Sequence, residues 1–284
     1  MFIDAIEKAI FFTKPLLNGQ MIYKDRAIMS NIHSLTVLND EGDILTCGFI
    51  ADLFKMSEEI NDVFVPILQE LKNKLPKEIK KIEKKYDIKE QDLIFIHNII
   101  VDIANNPGRL NIIKHPVLDI AIIRLERNQE IFVKDFPVFR KDNVKIGEQV
   151  CKIGYAFPEY DTFYYDEHDC IIKTHNRIMN FPVFPLDGMV TRNIVDPNHE
   201  ITMFEMSTTC LPGQAGGPII DQDGNFAGLL VGTKRISSSY NSEMPFELDL
   251  AVGVHVNAIK DFLDANDINY YRTTNSRRNF LWWI

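Results

Sequence analysis

The segment Cys210 to Gly228 reads CLPGQAGGPIIDQDGNFAG, with Gly213, Gly216, Gly217 and Pro218 gathered around one small residue, Ala215. A G-x-x-G-G-P turn permits backbone conformations with positive φ and the close approach of another chain segment. An apolar strand, an Asp-rich turn and a second apolar strand follow it. The other side chains with chemical capacity are dispersed. Cys47, Cys151, Cys170 and Cys210 form no C-x-x-C pair and no zinc pattern, so neither a metal site nor a cofactor is expected. Four free buried thiols in a reducing, cytosolic compartment are the simplest reading. The histidines are His33, His97, His115, His168, His175, His199 and His255. From Tyr155 to His168 (YAFPEYDTFYYDEH), aromatic residues interleave with Glu159, Asp161, Asp166 and Glu167. That stretch reads as an ordered aromatic loop or as an acidic recognition loop for a basic partner.

The elements that must position these residues follow from periodicity. Ile3, Ile6, Ala9 and Ile10 share one face of a helix within Met1 to Phe12. Asp4 and Glu7 interrupt it and no basic region precedes it, which argues against a signal peptide. Thr13 to Gly19 reads as a linker. Ser34 to Leu38, the turn Asn39 to Asp43 and Ile44 to Thr46 form a hairpin signal. From Ala51 to about Tyr86 the pattern turns helical, with Ile60, Phe64, Ile67, Leu68 and Leu71 at spacings of three or four and a break at Pro76. Lys72, Lys74, Lys77, Lys80, Lys81, Lys84 and Lys85 make it locally basic: a solvated helix face or an interaction surface. Strand signals then run over Leu93–Val101, Ile120–Leu125, Gln149–Ile153, Gly188–Ile194, Ile201–Met206, Pro218–Ile220, Phe226–Val231 and Ala251–His255. A helix over Asn257 to Ala265 follows. The chain ends in Arg277, Arg278, Asn279, Phe280, Leu281, Trp282, Trp283 and Ile284, an apolar tail expected to pack on its own surface or a partner's. Many short strands with turns between them predict an all-β barrel or sandwich.

The 284 residues carry 31 Lys plus Arg against 40 Asp plus Glu, a net charge of −9, which argues against nucleic acid as the main partner. No apolar run reaches about 18 residues, so no membrane span is expected.

Several motifs resemble the trypsin-like (chymotrypsin-fold) serine proteases. CLPGQAGGP resembles their nucleophile loop G-x-S-G-G-P, with Ala215 at the serine position. HPVLDIAIIRLE resembles the strand carrying their catalytic aspartate, here Asp119. IGEQVCKIGYAF (146–157) resembles the stretch opening their second barrel, GMVT (188–191) its G-x-V-S strand, and Ala251 to Leu263 the final strand and helix. Their base follows I-L-T-x-x, which places Phe49 at the histidine position. The resemblance covers most of residues 20–265. It is nearest to compact bacterial enzymes such as the protease core of the high-temperature-requirement family, with no room for a PDZ domain.

The resemblance implies two six-stranded antiparallel β-barrels with an N-terminal helix, a helical insertion in the first barrel and a C-terminal helix. The expected layout is helix and linker at 1–19, first barrel at 20–136 with the insertion at about 52–90, second barrel at 137–256, and helix and tail at 257–284. It also implies an oxyanion hole from the N–H groups of Gly213 and Ala215. Thr209, Gly232 and Thr233 would border the substrate groove, Thr209 forming a neutral floor of the first specificity pocket. The triad mechanism needs a hydroxyl and an imidazole, and Ala215 and Phe49 supply neither. Losing such groups costs about 10⁴ to 10⁶ in turnover, roughly 5–8 kcal/mol. The expected function is a catalytically inactive pseudoprotease that binds a peptide or protein, with partner contacts through the Lys-rich insertion or the aromatic tail. The alternative is an active serine endopeptidase carrying a substitution at 215, which leaves Phe49 unexplained. His33 or His115 as base, and Cys47 or Cys210 as nucleophile, are further candidates with blander readings as ordinary side chains. Phe49 is expected to fill the space of the absent imidazole, burial worth about 2 kcal/mol, leaving Asp119 in need of a new donor.

Overall fold

A computed structural model of the chain describes residues 1–104, 109–126, 130–157, 162–174, 181–196, 198–237 and 247–272. Glu159, Tyr160, Asp161, His175 and the tail Arg277 to Ile284 lie outside them. The first half runs α1 (Ile3–Phe12), β1 (Thr13–Ile22), β2 (Ile28–Val37), β3 (Asp43–Thr46), α2 (Gly48–Leu71), α3 (Pro76–Tyr86), β4 (Leu93–Ile100), β5 (Asn111–Lys114) and β6 (Ala121–Arg124). The second runs β7 (Val138–Phe139), β8 (Gln149–Lys152), β9 (Phe163–Asp166), β10 (Ile171–Thr174), β11 (Leu186–Val195), β12 (Ile201–Met206), β13 (Pro218–Ile220), β14 (Phe226–Ser237), β15 (Glu247–His255), α4 (Val256–Asp264) and β16 (Tyr271–Arg272).

The first sheet has the order β4-β1-β2-β3-β6-β5, all antiparallel. Its outer strands β4 and β5 are not paired with each other among the described residues, so this barrel is open. In the second, β13-β8-β11-β12-β15-β14 closes into a six-strand ring through the additional β13–β14 pairing. Two short strands, β7 and β16, extend it with parallel pairings beyond the six expected strands. The double-barrel, strand-dominated architecture agrees with expectation.

Two expectations need correction. Thr13 to Gly19 is not a linker but the start of β1, paired with both β2 and β4. Thr13 and Leu16 to Gly19 are buried, and the two neighbouring strands satisfy the backbone that a linker would leave to solvent. The helical insertion begins at Gly48, directly after β3, rather than near residue 52, and its second helix ends at Tyr86. The motif residue Phe49 therefore lies on the first turn of a helix.

The hairpin of β2 and β3 forms as expected, with Thr36 opposite Leu45 and Val37 opposite Ile44. Asn39 closes its turn by accepting the Glu41 and Asp43 N–H groups on its side-chain oxygen. In α3, Leu75 N–H donates to Glu78, and Lys84 and Lys85 sit in the last turn, where the helix dipole favours cations. Its lysines are exposed and Ile82 is its buried anchor. Of the aromatic segment, Tyr155 and Phe163 are core residues.

One apolar cluster crosses the two sheets: Leu35, Ile44, Cys47 and Ile50 pack with Cys151, Ile153 and Ile220. A second joins Leu38, Leu45 and Ile122 to Phe226, Leu229 and Val254. No described helix is long and apolar enough to cross a membrane.

Candidate functional site

The Gly-rich loop between β12 and β13 is held from the opposite sheet. Ser34 of β2 donates its N–H to the Ala215 carbonyl at 3.2 Å and its hydroxyl to the Gly213 carbonyl at 2.8 Å. The same hydroxyl accepts the Tyr155 N–H at 2.9 Å. Thr36 donates to the Gly216 carbonyl at 3.1 Å, and Thr46 donates to the Ser34 carbonyl at 3.2 Å. Buried Gln214 ties the loop to itself and to its neighbour: it accepts the Leu211 N–H and donates to the Phe184 carbonyl. Glycine is required at two points. Gly213 has φ +97° and Gly216 φ +86°, and a Cβ at 216 would lie 2.1 Å from the Ser34 carbonyl oxygen. Among the described residues, neither the Gly213 nor the Ala215 N–H has an acceptor within the chain.

Ala215, Gly213, Phe49 and Thr233 line one cavity of about 360 Å³, together with His33 and Cys210. A neighbouring cavity of about 700 Å³ is lined by Thr209 and again by Cys210 and Thr233. Gly232 lies at a bulge of β14 with open space around it. Phe49, Gly213, Ala215, Thr209 and Thr233 thus line these two adjoining cavities, while Asp119 and Gly232 are not among their lining residues.

Phe49 is not buried. It is 43% exposed at the cleft mouth, its ring edge-on to His33 at 5.8 Å between centroids. The first turn of α2 points the ring outward, and the apolar contacts of that turn come from Ile50 and Ala51 instead. Asp119 is also exposed, and its new donor is the backbone: the Phe49 N–H reaches its Oδ1 at 3.0 Å. Cys47, the residue capping α2, supplies no side-chain bond, so Asp119 caps the helix from outside its own segment. Gly48 makes room, since a Cβ there would meet that oxygen at 2.6 Å.

The histidine and cysteine alternatives resolve individually. His115 does not face Asp119; its Nδ1 accepts the Val117 and Leu118 N–H groups, and its ring packs against Phe262. His33 is in the cleft, and burial lowers its pKa to about 4, so the imidazole is neutral near pH 7. Cys47 is fully buried against the Leu230 carbonyl, and burial pushes its thiol well up. Cys210, half-buried in the cleft wall, is pushed up by burial as well.

Sequence reasoning missed Ser34 and Thr36, although polar residues at i and i+2 of a strand announce one polar face. It also missed Lys152, a lone charge in the apolar run VCKIG, two residues after buried Val150.

Residues 34–229 match the family described as trypsin-like peptidase domain, well over half of the chain, and the protein belongs to that family. Among solved structures, it is similar to the HtrA-type protease AlgW with tripeptide and to an alanine-substituted form of that protein. Each is 14% identical with a TM-score of 0.48, covering 93% of this chain and 63% of the other. The chain therefore spans less than two thirds of the length of those structures. No curated protein matches.

Proposed function

We propose that the chain is a catalytically inactive member of the trypsin-like family that binds a peptide or protein segment in the cleft between its two sheets. The observation that carries this reading is the pairing of Ala215 and Phe49 around one cavity. An acyl-transfer site needs a hydroxyl and a base at those two points. Alanine has no nucleophilic atom and phenylalanine cannot take a proton. His33, the imidazole of the cleft, meets a phenyl ring where it would need a nucleophile and a carboxylate. What a ligand would meet is backbone: the Gly213 and Ala215 N–H groups in the role of an oxyanion hole, and the strand at Gly232 and Thr233, which can pair with an extended peptide. Asp119 is then a retained triad position that serves as a helix cap. The exposed lysines of α3 and the aromatic tail are secondary contact surfaces for a protein partner.

The test is a sensitive peptide-cleavage assay on the unmodified chain beside the Phe49→His, Ala215→Ser double variant. The unmodified chain is expected to cleave nothing above buffer while binding extended peptides. Cleavage by the unmodified chain that vanishes on changing a single residue overturns the proposal. Deleting Trp282 to Ile284 is expected to weaken association with a captured partner if the tail contributes.

A further inference from the structure

A third cavity, of about 500 Å³, lies between the end of α2 and the hairpin of β9 and β10. It shares no lining residue with the two cavities of the cleft. Leu68, Leu71 and Cys170 line it and belong to one apolar cluster, with Tyr165 packed against that cluster. Its cations are Arg26, from the turn between β1 and β2, and Lys72, which caps the C-terminus of α2. Among the described residues its one carboxylate is that of Glu167, an exposed residue.

Arg26 is held in place but not neutralised. The Ile22 N–H donates to the Ala27 carbonyl at 3.2 Å and the Lys24 N–H to the Glu90 carbonyl at 3.0 Å, which pins the turn. The guanidinium carbon stands 4.9 Å from the Tyr23 ring centre and 5.6 Å from that of Tyr165, within cation–π range of both. Ring faces are only weak acceptors for N–H groups. Among the described residues, the Arg26 Nη1 is cut off from solvent and has no hydrogen-bond partner. Neither Asp25, beside it in sequence, nor Glu167 pairs with it. A buried donor without an acceptor is costly, and a guanidinium cannot shed its charge. That charge is delocalised over three nitrogens, so an anion on the cavity side of the side chain compensates the sealed nitrogen as well.

Lys72 repeats the pattern more weakly. Its ammonium donates to the His168 carbonyl at 2.7 Å and meets no carboxylate among the described residues, which leaves two N–H donors. The other charges of the hairpin are committed: Lys173 is paired with Asp166 and Asp169, and the His168 ring is bonded to Asp169 at 2.8 Å.

We propose that this cavity binds an amphiphilic organic anion, with an oxyanion head, carboxylate or phosphate, on Arg26 and Lys72 and a short apolar body over Leu68, Leu71 and Tyr165. The planar fork of arginine takes two oxygens of such a head side by side. The cavity has the size of a small-molecule site. A bare anion forgoes the apolar wall, and a neutral apolar molecule leaves the guanidinium without a counter-ion, so the site favours a molecule that carries both parts. Glu167 opposes the head from the exposed side and is outnumbered by the two cations. The site is independent of peptide binding in the cleft.

The test is isothermal titration calorimetry on the full chain with hexyl phosphate, hexanoate, inorganic phosphate and 1-hexanol. At least one of the two amphiphilic anions is expected to bind one to one, and the tighter of them identifies the head. Inorganic phosphate and hexanol are expected to bind about tenfold more weakly, or not at all. Arg26→Gln should weaken the tighter probe by about tenfold and Lys72→Gln by about threefold, each with an unchanged melting temperature in the absence of probe. Should Arg26→Gln lower that temperature, Lys72→Gln, at an exposed side chain, decides. Saturable binding by neither amphiphilic anion, hexanol or inorganic phosphate bound as tightly as they are, or an affinity that the deciding variant leaves unchanged overturns the inference.

Discussion

His33 sits in the cleft wall as a neutral imidazole because its surroundings cannot solvate the charged form. In the unfolded chain it takes up a proton near pH 6.5; in the fold it resists until about 4. Between those values the unfolded state binds more protons, so this contribution is complete above pH 6.5 and is lost as pH falls toward 4. His255, buried against Phe204 with its Nε2 near the Asn193 side chain, is lowered to about 4 as well and adds to the same slope. Urea midpoints measured from pH 7 to pH 4 should therefore fall, and less steeply in His33→Phe. Equal slopes for the two proteins would show that His33 titrates normally. Phe49 teaches a different point. The residue type at position 49 is read from the sequence, but the ring's exposure depends on the helix it starts.

At the scale of elements, β2 and the Gly-rich loop act as one piece. The Ser34 hydroxyl serves two backbone groups at once, the Gly213 carbonyl and the Tyr155 N–H. Ser34→Ala should cost about 1–3 kcal/mol, because it leaves buried polar groups unsatisfied. Chemical denaturation measures this directly, and a cost within error of zero would mean that the loop holds itself. Gly216→Ala should cost at least as much, about 3 kcal/mol, since the new methyl meets the Ser34 carbonyl in a backbone conformation that alanine disfavours. Peptide binding should weaken in both variants if the loop's N–H groups form the cleft floor. The helical insertion was legible as helix from its spacing of Ile60, Phe64, Ile67 and Leu71. Its start was not, because Gly48 and Phe49 carry no capping signal of their own and the cap comes from Asp119, 70 residues away in sequence.

Across the whole molecule, the two sheets share their cores. The cluster joining Leu35 and Ile44 to Ile153 and Ile220, and the one joining Leu45 to Leu229, each draw on both halves, beside a cluster that the second sheet holds alone around Val150, Phe204 and Leu230. The halves should unfold together, with hydrogen-exchange protection in β2 and β14 lost at the same denaturant concentration. Loss of one well before the other would mark them as separate units.

The sequence by itself determined the strand-rich class, the hairpin at Asn39, the Gly-rich turn and the residue types, Phe49 and Ala215, on which the proposed function rests. These are local properties: strand period, turn chemistry and residue type act over a few neighbours. Only the tertiary structure decided that β1 replaces a linker, that Phe49 faces out, that Ser34 and Thr36 clamp a loop some 180 residues away, and that Lys152 is sealed inside a barrel. Each of those outcomes depends on which surfaces meet across the two sheets, and burial and hydrogen-bond partners arise only once they do.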